Sequence, residues 1–536
     1  MIVNKQMFPA QSGYSVISQM QDKFSTLQMQ LGTGQKASTL SEMSKDLPVS
    51  LSVRARLNTI AGYSSNIDTV NLRLTFLNNA MTRFDKMEAE ARTASMPGQY
   101  GTGGINMATM PNLAAARFDE IVTILNQDVA GRYIFGGKVT DKPPLANTTA
   151  LLEGQGGKAG YKAIAGDRAI ADGVGGLGRL ETDASTAGKV VLREDGATPF
   201  GFKVSTVSSS GGPSITVDQP TGGAIDQVAV NFNGAVIPGQ TVTIGLTLPD
   251  GTETQLKLTA TADNPPGAGQ FTIGANENAT ALNFRTSLEK GLTELSYSEL
   301  KAASGFAAAT DFFSESGIPQ VPVGGPPPTG LADADPAKVV FWYKGGTDAD
   351  PRGSVTAAVE DGSPVRYGIQ ANESGFLALL RSQAALANAN FPSEDNVRAE
   401  AGNVAARQAA MAQPEGAARD SALAAYEAKI QTEYRRSLGY FDGMASRQQS
   451  ALSEGHNTEK GSIEIITMEL GIVAGRVQSA TTRHTDYKGQ LENLLSDVET
   501  ISKEDVAMQM MDLQTRLQAS YQTTSMLSKL NLVNYL

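Results

Sequence analysis

The sequence predicts a mainly α-helical protein with a β-rich insertion, an α+β middle inside an all-helical frame. Three observations support this. Apolar residues recur at helical spacing over long stretches near both ends. The middle turns to Gly, Thr, Pro and Val with hairpin signals. The chain's 536 residues also exceed what one small core can serve. The composition shifts mark three parts: residues 1–40 with 502–536 as a terminal helical domain, 41–165 with 366–501 as a helical bundle, and 166–365 as the β-rich insertion. The N- and C-terminal helices are expected to pair into a coiled coil or helical bundle.

Taken in order, Ile17, Met20, Phe24, Leu27 and Leu31 step by three and four residues, one apolar stripe on a helix. LGTGQKAS breaks the stripe, and Pro48 follows. A longer seam runs through Val53, Leu57, Ile60, Tyr63, Ile67, Val70, Leu74, Leu77, Met81 and Phe84. Leu113 to Val129 reads as an amphipathic helix with Gly131 as its cap. In the middle, VAVNFNGAVI puts Asn233-Gly234 where a two-residue hairpin turn belongs, and TVTIGLTLPDGTETQLKLTAT does the same around Pro249-Asp250-Gly251. KVVLRE, FGFKVSTV, VVFWYKG and PVRYGI are further strand candidates, and residues 278–303 carry one helix with Leu288, Leu292 and Leu295 on a face. Helices are expected again over 373–386 and through Leu423, Tyr426, Ile430, Tyr434, Phe441 and Met444.

The last seam is the longest. It passes through Ile463, Ile466, Leu470, Val473, Val477, Ala480, His484, Tyr487, Leu491, Leu494, Val498 and Ile501, a helix of about 58 Å at 1.5 Å per residue. Ser502 can cap a final helix, with Asp505 three residues on. That helix carries Val506, Met510, Leu513, Leu517, Tyr521 and Leu527.

Composition narrows the function. Net charge is −11, which argues against a general binder of nucleic acid or anionic membranes. Cys is absent and His456 and His484 are the only histidines, so thiol chemistry and a multi-histidine metal site are excluded. No run of eighteen apolar residues occurs, so no membrane insertion is expected. The opening MIVNKQMFPAQSGYSVISQ lacks the apolar core of a signal peptide, and export, if it occurs, is expected without a cleaved Sec signal.

Charge separates the outer helices from the inner ones. Residues 6–35 contain Asp22 and Lys23 as their charged groups, and residues 506–536 contain Asp512, Arg516 and Lys529. A solvated helix normally carries charge on its outer face. Two readings stay open for any heptad stripe: packing inside one bundle, or packing between chains. For these two helices low charge favours packing between chains, with the segments ordering when neighbours cover them, since isolated helices are marginal in water.

Signals of chemistry are weak. GVGGLG (173–178) satisfies a dinucleotide fingerprint in letters, yet no apolar strand precedes it and no helical pattern follows, so it reads as a loop. Asp333 with Asp335, and Asp348 with Asp350, offer paired carboxylates in loops, but Arg352 stands where a calcium ligand belongs. His484 sits on the long seam and reads as a half-buried neutral imidazole. No catalytic residue, cofactor or metal is assigned, and an enzymatic insertion lacks a histidine or an acid–base constellation to work with.

Terminal heptad helices around a β insertion resemble the flagellin superfamily of bacterial axial proteins. Within it, GRYIFGGKVTDKPPL (131–145), VRYGIQANESGF (365–376) and LQASYQTTSMLSKLNLVNYL (517–536) resemble the hook-filament junction family, the hook-associated proteins of type 3. The likeness covers roughly residues 1–145 and 363–536 and none of the insertion. It implies a non-enzymatic, secreted subunit of the extracellular flagellum, exported unfolded by the type III apparatus with a dedicated chaperone. Such a subunit forms a homo-oligomer in a helical axial assembly and contacts other hook-associated proteins and flagellin. Flagellin itself is the alternative, and a flagellin-like protein with an enzymatic insertion a further one. Carried over by position, Ile17, Met20, Phe24, Leu27, Leu31, Val506, Met510, Leu513, Leu517 and Leu527 are the expected subunit contacts, in the inner layer of the tube.

Overall fold

The computed structural model describes residues 8–95, 107–223 and 225–533. The chain is mainly helical, with its strands gathered in small sheets. Helix α1 (Phe8–Thr33) stops at Gly34, whose φ of +72° disfavours any residue with a Cβ. Helix α2 (Leu47–Ala94) runs 48 residues, with Pro48 in the first turn where a missing N–H costs nothing. Helix α3 (Met110–Leu125) ends earlier than the expected 113–129. Asn126 leaves it, and its side chain both accepts from Leu145 N (2.9 Å) and donates to Leu145 O (3.3 Å). Strands β1 (Asp128–Val129) and β2 (Arg132–Tyr133) then make a hairpin across Ala130 and Gly131, at φ 54° and 75°. Gly131 therefore serves a two-residue turn and not a helix cap.

Next come α4 (Thr148–Glu153), the small hairpin β3 (Gly154–Gln155) with β4 (Lys158–Ala159), and α5 (Tyr161–Ala171). The β-rich stretch holds β5 (Leu180–Asp183), β6 (Lys189–Glu194), β7 (Lys203–Ser209), β8 (Ile215–Asp218), β9 (Gln227–Phe232), β10 (Thr241–Thr247), β11 (Glu253–Thr261) and β12 (Gln270–Thr272). Helix α6 (Glu277–Leu295) continues through a π turn at Ser296–Leu300 into α7 (Lys301–Phe312), past the end expected at 303. Strands β13 (Gln320–Val323), β14 (Gly330–Asp333), β15 (Thr356–Ala358) and β16 (Pro364–Arg366) precede α8 (Ser374–Ala387), α9 (Glu394–Ala399), α10 (Ala401–Met411) and α11 (Ala417–Ala451). The chain closes with α12 (Ile463–Glu499) and α13 (Lys503–Val533).

Two compact units result, the boundaries falling inside α2, β15, β16 and α12. One comprises the chain through Leu72, Ala357–Val365 and everything from Val473; the other comprises Arg73–Thr356 and Arg366–Ile472. In the second unit two four-stranded sheets, ordered β5-β6-β9-β8 and β12-β11-β10-β7, share one apolar core with α6. Alternate residues point inward, as a half-buried strand requires: Val190 and Leu192 on β6, Val242, Ile244 and Leu246 on β10. The turn at Pro249-Asp250-Gly251 joins β10 to β11 as expected, with Thr247 opposite Glu253. Asn233-Gly234 does not form the expected hairpin. β9 is paired on both edges, with β6 and β8, so the chain must leave that sheet before β10 begins.

VVFWYKG is not a strand either. Its alternation serves an aromatic core: Trp342 is fully buried against Phe313 (5.7 Å between ring centroids), and its Nε1 donates to Ser314 O at 3.1 Å. Tyr161 joins the same cluster, its hydroxyl donating to Gly305 O at 2.9 Å, and burial pushes that phenol far above its ordinary range.

A buried cation pins α11 to the sheet. Arg447 meets Asp250 at 2.5 Å, Glu299 at 3.0 Å and Thr252 Oγ1 at 2.8 Å, joining the β10–β11 turn to the π turn. Removing one partner of a buried pair strands the others in low dielectric. Arg447→Met is accordingly expected to cost about 3 kcal/mol or more in chemical denaturation; a loss below about 1 kcal/mol, the level of an exposed pair, would show that the contact does not matter.

Glu88 on α2 is a second site of electrostatic tension. Its carboxyl is pushed up to about 7, first by burial and then by Glu464 and Asp85, against the opposing charges of Arg92 and His456. One oxygen of Glu464 is itself buried without a hydrogen-bond partner. Because the folded state holds this proton more tightly than the unfolded chain, the stabilisation is complete at low pH and is lost as pH rises toward 7. Glu88→Gln should match the parent's melting temperature near pH 4 and exceed it increasingly up to pH 8. Parallel curves across that range would remove Glu88 from the account.

Candidate assembly surface

The first unit holds the residues singled out in the outer helices. α1 and α13 lie side by side and antiparallel: Gln21 Nε2 donates to the Tyr521 hydroxyl at 2.6 Å, while at the other end Gln35 bridges Thr500. Ile17, Leu27, Val506, Leu513 and Leu517 form one buried cluster, with Met20, Phe24, Leu31, Met510 and Ile501 packed against it half-buried. Nine of the ten residues expected at subunit contacts pack against one another within the single chain; the Leu527 side chain lies outside the described residues. Ile501 belongs to the cluster although it falls beyond the end of α12, where its seam was expected to remain helical.

The joint below the pair is backbone. Lys36 N donates to Glu499 O (2.8 Å) and Ile501 N to Gly34 O (3.1 Å), so α1 leaves and α13 enters through one antiparallel bridge. A Cβ on Gly34 would sit 3.3 Å from Lys503 Cε, on top of the cost of its positive φ. Ser502 caps α13 as expected, its hydroxyl accepting from Asp505 N at 3.2 Å. Glu499 accepts from Arg54 (2.9 and 2.7 Å) and from Ser50 (2.5 Å), which fastens α12 to the start of α2. Above all the Arg54 hydrogen bond holds the Glu499 carboxyl below its ordinary value, against an opposing effect of burial.

The rest of the unit braces this joint. Val53 and Ile60 of α2 pack on Leu491 of α12, and Tyr63 stacks on His484 with ring centroids 5.4 Å apart. His484 is buried, deeper than the half-exposed position its seam suggested, and its Nε2 lies 2.7 Å from Val359 O. Arg483 grips Glu360 at 3.0 and 2.6 Å, and Asn66 Nδ2 donates to Ala358 O at 3.0 Å, so residues 357–365 are held by both helices. Tyr487 and Leu494, expected on the seam, face solvent instead.

What the helix pair leaves uncovered is as informative as what it buries. Tyr14 is 65 % exposed, Met508 and Met511 61 % each and Met526 66 %, with Val16 and Tyr521 also open. A groove of about 540 Å³ is lined by Tyr14, Ile17, Ser18, Gln21, Tyr521, Thr524 and Ser525, none of them charged. No ion pair joins α1 to α13 among the described residues; α13 carries one along its own surface, Arg516 with Asp512 at 3.0 Å. Sequence reasoning missed Met508, Met511 and Tyr14 because they lie off the chosen stripe.

The remaining sequence candidates sit elsewhere and have structural partners. GVGGLG is a turn after α5, with Gly175 N donating to Ser296 Oγ at 3.1 Å. Asp348 accepts from Lys138 at 2.8 Å, Asp335 accepts from Ala337 N at 2.8 Å, and Asp350 faces Arg366 at 3.7 Å. Among the described residues no group of acidic or imidazole side chains is arranged to hold a metal ion, and no helix is long and apolar enough to cross a membrane. No family model matches the chain, and no curated protein matches it.

Leu27→Ala is expected to weaken the α1–α13 contact by about 2 kcal/mol. Trypsin cleavage after Arg516 should then accelerate by about tenfold or more, because cutting follows the population of the open form. An unchanged rate would mean that the cluster does not hold the helices together.

Proposed function

We propose that this chain is a structural subunit of the bacterial flagellum that assembles through α1 and α13 and joins the hook to the filament. One observation carries the reading. Two helices, α1 with few charges and α13 with its charges mostly in its first turn and middle, pack together, bury a single stripe, and leave Tyr14, Val16, Met508, Met511 and Tyr521 facing water. Single exposed apolar residues are ordinary on a protein surface, but several of them on one helix pair mark a candidate interaction surface. Copies of the same pair, set side by side as a coiled-coil layer, are the natural cover.

The quoted motifs direct this physical reading to the flagellum. GRYIFGGKVTDKPPL and VRYGIQANESGF resemble the junction family, and the implied partners are copies of the chain, other hook-associated proteins, flagellin and a type III export chaperone. The place of action is outside the cell. The mechanism is passive: each added subunit removes apolar helix surface from water, and the axial tube continues from one segment into the next. No cofactor, metal or catalytic step enters it.

The test separates surface from scaffold. Met508→Ser with Met511→Ser changes two exposed side chains and should leave the melting temperature of the free chain within about 2 °C, as surface substitutions do. Binding to isolated hook ends should fall about tenfold or more, given about 0.8 kcal/mol for each buried methylene-sized group lost. Unchanged hook binding by the double variant would overturn the reading. In filament-promoting salt the parent chain is expected to give short polymers or none; long self-seeded filaments would identify the filament subunit instead.

A further inference from the structure

A cleft of about 520 Å³ opens in the second unit where β11, α6 and α11 meet. Its lining is largely apolar, with Leu256 of β11, Leu295 of α6 and Pro265 and Pro266 open to it above the buried Leu258. Glycines shape it. A Cβ on Gly291 would come within 2.8 Å of Leu256, and one on Gly439 within 2.9 Å of Ser298, so α6 and α11 approach their neighbours closely only because both positions are bare. Ligand cavities of small molecules fall in the range of about 300–1,000 Å³ and combine such apolar walls with a few polar groups.

The polar groups here are one-sided. Lys290, Arg435 and Arg436 line the cleft against a single carboxylate, Glu294, in a chain with 55 acidic and 44 basic residues. Arg436 consumes that carboxylate through two hydrogen bonds of 2.9 and 2.8 Å, and its guanidinium lies 4.2 Å from the centre of the Tyr297 ring. Lys290 and Arg435 are left without an acidic partner among the described residues. Arg435 is steadied by its own helix, donating to Gln431 O at 3.2 Å and Thr432 Oγ1 at 3.3 Å. An apolar lining beside two unneutralised cations is complementary to one kind of ligand.

We propose that this cleft binds a small amphipathic organic anion, its apolar body on Leu256, Leu295 and Pro265 and its acid group at Lys290 and Arg435. The Arg436–Glu294 pair is the fixed edge between helices against which the anion is positioned. The inference stands apart from the assembly reading, since none of these residues belongs to α1 or α13.

Two fluorescent probes that share an apolar body test it on the full chain: 1-anilinonaphthalene-8-sulfonate, and its uncharged counterpart N-phenyl-1-naphthylamine. The sulfonate should bind saturably at one site, and Lys290→Glu with Arg435→Glu, both exposed positions, should raise its Kd about tenfold or more. The uncharged probe should bind more weakly to the parent and be indifferent to the same change. Ser287→Trp, which fills the cleft, should abolish both. Circular dichroism of each variant confirms that it is folded. Equal affinity of the sulfonate for the parent and the charge-reversed variant would overturn the proposal, as would sulfonate fluorescence that survives Ser287→Trp.

Discussion

Everything in the first unit depends on the pairing of two terminal helices whose contact is made by apolar and neutral polar side chains. Asp22 and Lys23 are the charged residues of α1; α13 carries Lys503, Glu504 and Asp505 in its first turn and Asp512, Arg516 and Lys529 beyond it. Gln, Ser, Thr and Met fill the remaining surface. Such a helix gains little by being solvated and more by being covered, because neutral polar side chains satisfy hydrogen bonds across an interface without the desolvation penalty of an ion. The contact between Gln21 and Tyr521 is an instance of this economy within the pair itself.

The position of the pair is set by a short length of backbone. The bridge of Gln35 with Thr500 fixes the register in which Ile17, Leu27, Leu513 and Leu517 meet, and Glu499 ties that bridge to Ser50 and Arg54. A one-residue slip on either helix would turn its stripe by about 100° and bring Ser, Thr or Gln into the seam. The turn at Gly34 and the cap at Ser502 define where each helix begins or ends, and so which face meets the partner.

Long periodic segments were legible in the sequence, because nothing competes with an apolar stripe sustained over many turns. α2 and α12 follow their seams, with buried residues from Val53 to Phe84 and from Ile463 to His484. Short elements were less so. VVFWYKG has the alternation of a strand, but Trp342 finds a better environment among Phe313 and Tyr343 than any sheet edge offers. Asn233-Gly234 has the letters of a tight hairpin, yet β9 was already paired on both sides, a tertiary fact that local spacing does not contain. Gly131 illustrates the same limit, since a positive-φ glycine can cap a helix or turn a hairpin. Of the candidate surface, the buried stripe was readable from heptad spacing. The open face lies off the heptad stripe and was not readable from it, and the cleft between β11, α6 and α11 arises from residues about 180 positions apart that no local pattern links.

Under the proposed function, the helix pair is an unfinished surface, completed by other copies in an assembly. Amide hydrogen exchange over residues 13–33 and 503–526 measures it most directly, because exchange in these helices reports how often they open. In the free chain these amides are expected to exchange faster than those of α2. In the hook-bound or polymerised chain they should slow by about a hundredfold, nearly 3 kcal/mol of added protection. Protection equal in the free and assembled states would contradict the claim, since helices already fully covered in the single chain have no open face to give a neighbour.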